Sequence, residues 1–251
     1  GTVPAGMTAG TDGENNGTIT LGDSSVGLFG KNGSRVSNKG VITAGNASAG
    51  LMTSGAGSLA MNSGAINLGA GSQGMVLKNG TTIDNLGTGN ILSSGAGTVG
   101  IFADNITGNI NNAGAVDLSG DKSIGIYSAG SNAVTINNTG TVNTSGEDSR
   151  GIYASTEDST GTVLGSITVN NNGAITLGNS ADINTATQAG IYGTKGTAIN
   201  NNASITGGSN VVGIYGNGSA VTSNGSINVG DNSVGIYLNG GNITTSSTTS
   251  I

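Results

Sequence analysis

The chain has 251 residues, a net charge of −6, only 8% charged residues, 49 glycines, one proline, and neither cysteine nor histidine. So few charges exclude a solvated, charge-rich disordered chain, and glycine without a three-residue period or abundant proline excludes collagen. The seven Lys and Arg form no cluster, so nucleic acid and anionic membrane surfaces lack an electrostatic footprint.

The remaining composition is Val, Ile, Thr, Asn, Ser and Gly, which is that of a turn-rich β protein and a poor one for helices. No apolar run is long enough for a membrane helix. The opening GTVPAGMTAG has neither the basic start nor the hydrophobic centre of a signal peptide. A chain without cysteine suits export in an unfolded state.

Read in chain order, one motif recurs. A partial copy at Gly6-Met7 precedes nine fuller ones. These are Gly27-Leu28-Phe29, Gly50-Leu51-Met52, Gly74-Met75-Val76, Gly100-Ile101-Phe102, Gly125-Ile126-Tyr127, Gly151-Ile152-Tyr153, Gly190-Ile191-Tyr192, Gly213-Ile214-Tyr215 and Gly235-Ile236-Tyr237. All seven aromatic residues of the chain occupy this one position. The period is about 24 residues, the mark of a solenoid. Leucine-rich repeats share that period, but their LxxLxL pattern is absent.

Each repeat contains three short alternating segments. Val234-Gly235-Ile236-Tyr237 represents the first, Val134-Thr135-Ile136-Asn137-Asn138 the second and Ile175-Thr176-Leu177-Gly178 the third. Period-two alternation marks half-buried strands, and the Gly, Asn and Ser between them mark turns. The expected fold is all-β: a right-handed parallel β-helix with three strands per coil. Residues 1–251 form a single segment of about nine to ten coils, a rod roughly 43 Å long. The chain stops mid-coil after Ile243-Thr244-Thr245 with no polar cap. Open coil edges pair with further strands, so the segment reads as a slice of a longer solenoid.

Two inward aliphatic columns follow. One runs from Leu28 to Ile236 behind each motif glycine. The other is Ile19, Ile42, Ile66, Ile91, Val116, Val142, Ile175, Ile205 and Ile227. Four residues before most members of the second column lies an asparagine: Asn15, Asn38, Asn62, Asn112, Asn138, Asn171 and Asn201. Asn85 joins by allowing two extra residues, and Ser223 replaces Asn in the last coil. Such a column predicts a ladder of side-chain amides bonded from coil to coil, at corners where Asn tolerates a left-handed backbone.

One coil departs from the period. Gly151 to Gly190 spans 39 residues (190 − 151). The excess is assigned to residues 154–165, ASTEDSTGTVLG, and 179–187, NSADINTAT, which should protrude from two corners.

The repeat N-x-G-x-I-x-L-G-x-x-S-x-G-I-Y is carried by Asn112-Ala113-Gly114-Ala115-Val116-Asp117-Leu118 through Gly125-Ile126-Tyr127, and by Ser226-Ile227-Asn228-Val229-Gly230 through Gly235-Ile236-Tyr237. It resembles the passenger repeats of large fusobacterial autotransporter adhesins of type V secretion, over essentially the whole chain. The resemblance implies a cell-surface passenger that binds a host or bacterial surface protein or glycan. It also implies that membrane attachment is only through a C-terminal barrel that this sequence does not contain.

Candidate sites are few. Without His or Cys the usual general base, thiol nucleophile and most zinc ligands are missing, so no catalytic residue, metal ligand or cofactor is assigned. The dispersed acids could gather only around the long coil, as Glu147, Asp148, Glu157, Asp158 and Asp182 with Arg150 nearby. Such a patch would serve a carbohydrate-active β-helix or a calcium site, against the reading of a solvated loop face. The aromatic column stabilises coil stacking. It also offers an outward strip for ligand contact at Tyr127, Tyr153, Tyr192, Tyr215 and Tyr237, with Glu157, Asp158 and Asp182 on the loops. The expected function is a monomeric adhesin rod, not an enzyme. The alternatives are a carbohydrate-active β-helix and a spacer with no binding site.

Overall fold

The computed structural model describes residues 12–183 and 188–246. The partial copy at Gly6-Met7 lies outside them. The described chain is all-β, a parallel β-solenoid of about nine turns with roughly 25-residue spacing. Its first strands carry the Gly-aliphatic-aromatic motif, as in Ile124–Ala129 and Arg150–Ser155. Its second strands end on the ladder asparagine, as in Ala133–Asn138 and Ser166–Asn171. Its third strands carry the second aliphatic column, as in Thr141–Thr144 and Ile175–Leu177. Every strand pairs in parallel with its counterpart one coil away, for example Tyr127 with Tyr153 and Asn138 with Asn171. The third strands form a nine-stranded sheet, and the first and second together form a seventeen-stranded sheet. In the last two coils the first and second strands run on as single strands, Val212–Ser223 and Val234–Thr245.

The core is a stack of aliphatics contributed by all three strand types. Ile101, Ile126, Ile152 and Ile191 of the first column and Ile91, Val116, Val142 and Ile175 of the second are buried. The second strands add a third column that alternation alone left implicit: Val36, Ala60, Ile83, Ile110, Ile136, Val169, Ile199 and Val221. Leu28, Ile19 and Ile236 are only partly buried, because each has a neighbouring coil on one side of it. Burial of one such side chain stabilises the fold by about 1.5–3 kcal/mol. In a solenoid that gain is shared only with adjacent coils.

The motif glycine is explained by close approach rather than by backbone sign. A Cβ at Gly151 would lie 2.5 Å from the Gly190 carbonyl oxygen and 2.7 Å from Ile175 Cγ2. Gly27, Gly50, Gly74, Gly100, Gly125, Gly190 and Gly213 meet the same two neighbours, the carbonyl of the next motif glycine and a second-column side chain. Both the glycine and the following Ile therefore face inward. Simple alternation would put that glycine outside, beside the tyrosine; the bend at the glycine puts it inside.

The asparagine ladder is continuous. Asn15 Nδ2 donates to Asn38 Oδ1 at 2.8 Å, and the relay passes through Asn62, Asn85, Asn112, Asn138, Asn171 and Asn201 at 2.8–2.9 Å. Asn201 donates to Ser223 Oγ at 3.3 Å. The ladder residues are buried. They lie at strand ends and are not left-handed, contrary to the corner geometry expected of them. The left-handed corners fall elsewhere. One column sits three residues before the motif glycine: Ser24, Ala47, Gly71, Gly97, Lys122, Asp148, Asn210 and Asn232. Another sits five residues after it: Asn32, Gly55, Asn79, Asn105, Gly130, Gly218 and Gly240. The ladder Asn serves its amide, whereas the corner Asn and Gly serve φ.

The insertions are shorter than their sequence bounds. Ala154 is a buried core residue two positions after Ile152, and Thr156 is buried with its N–H on Thr194 Oγ1 at 2.9 Å and its hydroxyl on the Lys195 carbonyl. The protruding part is Glu157–Leu164. Of the second insertion, Asn179 and Ser180 belong to a regular corner, since Asn179 Oδ1 accepts from Ser209 N and Ser180 N donates to Ser209 O. Residues 184–187 lie outside the described residues.

Candidate functional site

The aromatic column is outward and half-exposed, and its rings touch. Tyr127 and Tyr153 stack at 4.9 Å between centroids and 6° between planes. Tyr192, Tyr215 and Tyr237 form a second stack, at 4.5 Å and 9° and then 5.1 Å and 19°. Phe102 extends the first stack at 5.3 Å with a 55° tilt. Between the two stacks, at Tyr153 and Tyr192, the planes turn by 85°. Each aromatic contact adds about 0.5–1.5 kcal/mol beyond area burial. Burial among the rings pushes the Tyr127 and Tyr192 phenols above the ordinary tyrosine value; neighbouring tyrosines add to this and Arg150 opposes it. Among the described residues, no hydroxyl of the five tyrosines has a protein hydrogen-bond partner, and none is sealed from solvent.

Arg150 occupies the turn in the column. It fills the position that holds Val99 and Ile124 in the preceding coils, so its side chain leaves the same outward face as Tyr153. Its guanidinium carbon is 5.0 Å from the Tyr153 centroid and 5.1 Å from that of Tyr192. Nε is buried without a partner, and the terminal nitrogens make no hydrogen bond or ion pair among the described residues.

The long coil brackets this junction. At the C-terminal end of Arg150–Ser155, the chain forms a hairpin in which Glu157 bridges Val163 in antiparallel fashion. The Asp158 carboxylate turns it, with Oδ1 accepting from Thr160 N at 2.8 Å, Thr160 Oγ1 at 2.6 Å and Thr162 N at 3.0 Å. The Thr160 hydroxyl, followed by backbone N–H donors, holds the Asp158 carboxyl below the usual range. Asp158 is therefore occupied by its own turn. Glu157 is paired with Lys195 of the next coil at 3.5 Å and acts electrostatically on Tyr192. Val163 and Leu164 are exposed beside it. At the other end of the face, before Ala189–Gly193, Glu147 Oε1 accepts from Ala181 N at 3.0 Å, which ties the start of the second insertion to the preceding coil. Asp182 is exposed.

The structure thus brings Tyr153, Tyr192, Arg150, Glu157 and Lys195 together. It does not gather Glu147, Asp148, Glu157, Asp158 and Asp182 into one patch. Among the described residues, no group of three or more acids is arranged to hold a metal ion. Sequence reasoning named Arg150 as a neighbour of the acids and did not see its place in the ring column. The signal was available: Arg150 is the only charged residue in a column otherwise holding Val26, Ala49, Gln73, Val99, Ile124, Ala189, Val212 and Val234.

Two further features escaped the sequence. A second ladder runs outside the first, with Asn111 donating to Asp84, Asn137 to Asn111, Asn170 to Asn137 and Asn200 to Asn170, at 2.7–3.0 Å. It runs opposite to the buried ladder and ends on a carboxylate, which can only accept. Burial raises the Asp84 carboxyl above its ordinary value, against the Asn111 bond. The third face carries a shallow groove of about 500 Å³ around Leu92, Asp117 and Asn143. No protein-family model, curated protein or solved structure matches this chain.

Proposed function

We propose that this chain is part of an exported bacterial surface adhesin. It acts as a rigid spacer that presents one docking face, centred on the junction of Tyr153, Tyr192 and Arg150. The repeat's resemblance to autotransporter passengers supports the class, and the solenoid is compatible with it. The observation that carries the docking role is convergence. The one coil with protruding insertions, the one charged residue in its column and the one large turn in the tyrosine stack all fall at the same place. Function concentrates on loops held by rigid scaffolds.

Within the stacks Tyr127–Tyr153 and Tyr192–Tyr215–Tyr237 the rings cover one another's faces, which favours the spacer reading there. Docking is thereby narrowed from the whole strip to its turn. The test is adhesion of beads coated with the chain to host cells and to partner bacteria. Changing Tyr192 and Tyr215 to Ser should reduce adhesion more than it reduces thermal stability. Adhesion and stability that fall in parallel would return the column to a purely structural role, and uncoated-bead levels for the unaltered chain would remove the adhesin reading of this segment.

A further inference from the structure

We propose that Arg150, packed against the T-shaped pair of Tyr153 and Tyr192, anchors the carboxylate of an acidic sugar, a uronic or sialic acid residue that docks at this turn of the tyrosine column. This deepens the docking role proposed above and rests on it.

Arg150 has unused donors. A guanidinium carries five N–H donors in a planar fork that matches a carboxylate. Arg150 uses none of them on protein; the rings hold it only through their faces, at 5.0 and 5.1 Å. Contact with both rings of the pair restrains the side chain, so less rotamer entropy remains to be lost when an anion binds. It also removes Nε from water, which leaves the terminal nitrogens as the outward fork. A bidentate, charge-assisted pair is among the stronger polar contacts available at a protein surface. The chain is acidic, with 13 Asp and Glu against seven Lys and Arg. One of those seven, Arg150, nevertheless packs against the Tyr192 ring, and a second, Lys195, is held by Glu157. At this junction an anion meets the Arg150 guanidinium on a rod whose net charge is otherwise unfavourable to it.

The remaining contacts select a sugar over a peptide. Tyrosine hydroxyls without protein partners recur once per coil, at the inter-strand spacing of about 4.8 Å. They offer a line of donors and acceptors to a ligand carrying many hydroxyls. A peptide would instead seek backbone pairing, and strands Arg150–Ser155 and Ala189–Gly193 are each paired on both sides. Neither of these two strands has an edge free for an added strand.

The experiment uses the whole chain and its own fluorescence, since it has five Tyr and no Trp. Sialyllactose and a glucuronic acid disaccharide are titrated beside lactose and oligoglutamate, with saturation-transfer NMR as a second readout. The acidic sugars should bind about tenfold or more tighter than lactose, and whichever of the two binds tighter identifies the acid. Arg150→Gln should abolish that preference with the far-ultraviolet β signal retained. Arg150→Lys should keep only part of it, because a point charge lacks the fork. Glu157→Gln should strengthen acidic-sugar binding by releasing Lys195. Lactose binding as well as either acid, a preference that survives Arg150→Gln, or oligoglutamate binding as well as sialyllactose would each overturn the proposal. If bead adhesion depends on Tyr192 and Tyr215 but acidic sugars show no preference, this inference fails and the docking role stands. If the acid preference holds on a rod that does not adhere, the sugar site stands and the adhesion role fails.

Discussion

The regular coil from Gly125 and the long coil from Gly151 are neighbours with the same core and different surfaces. Ile126 and Ile152 stack, Val142 and Ile175 stack, and Asn138 hands its amide bond to Asn171 at 2.8 Å, as in regular coils. The extra residues Glu157–Leu164 add nothing to the buried interior. Outside, the left-handed corner at Gly130 is replaced by a hairpin after Thr156, Ile124 is replaced by Arg150, and the ring stack turns. The two coils show that the interior of this solenoid sets register while its corners are free to vary, because lengthening a surface loop costs little entropy.

The sharpest way to break that contrast is to damage what the coils share. Ile152→Asp would place an unpaired charge in the sealed column and should cost several kcal/mol. Thermal melting followed by far-ultraviolet circular dichroism checks this. An unchanged melt would mean that Ile152 is not part of a continuous core.

Interrupting the ladder comes next. Asn138→Ala removes the acceptor of Asn112 and the donor to Asn171 while all three sites are buried. Asn112 Nδ2 keeps only its 3.5 Å contact with the Thr141 carbonyl and Asn171 Oδ1 loses its Asn138 donor, which should cost about 1–3 kcal/mol. Hydrogen exchange should rise in the coils on either side before it rises elsewhere. Uniform exchange along the rod would show that the ladder does not couple neighbouring coils.

Damaging what differs should do much less. Replacing Glu157–Leu164 by a two-residue link, with Ala154 and Thr156 kept, should change stability by under about 1 kcal/mol. Extending the cut to Ala154 should cost more, since that residue is in the core. Equal effects of the two deletions would contradict the boundary between coil and insertion.

The smallest effect belongs to the outer ladder. The folded state raises the Asp84 carboxyl, so its contribution is fully present below about pH 3.9, the unfolded value, and is lost as the pH rises through the folded value. At neutral pH the ionised carboxylate opposes folding slightly. Asp84→Asn should therefore raise the melting midpoint at pH 7 and leave it unchanged in strong acid. A lower midpoint at pH 7 would mean that the bond from Asn111 outweighs the burial of charge.

Much of the architecture was legible because each column repeats a requirement that one residue type meets. Glycine appears where a Cβ would strike the next coil's carbonyl, asparagine where a buried amide must both donate and accept, and Ile where the column is sealed. Period and residue type together placed the coils, the core and the buried ladder. Less legible was anything set between coils by side chains that no repeat constrains. The outer ladder from Asp84 to Asn200 uses residues that look like ordinary surface Asn. The expected left-handed ladder corners were misplaced because Asn has two uses, and sequence does not say which applies. The start of the first insertion was set too early, since Ala154 and Thr156 read as loop until the neighbouring coil buries them.

The sequence by itself determined the solenoid, its period, its inward columns and the coil that breaks the pattern, because these follow from a spacing repeated nine times. Only the tertiary structure decided that Arg150 would pack against both Tyr153 and Tyr192, with Glu157 turned to Lys195. Those partners come from different coils, and their meeting depends on how stacked rings tilt and how a hairpin folds back, neither of which one repeat encodes.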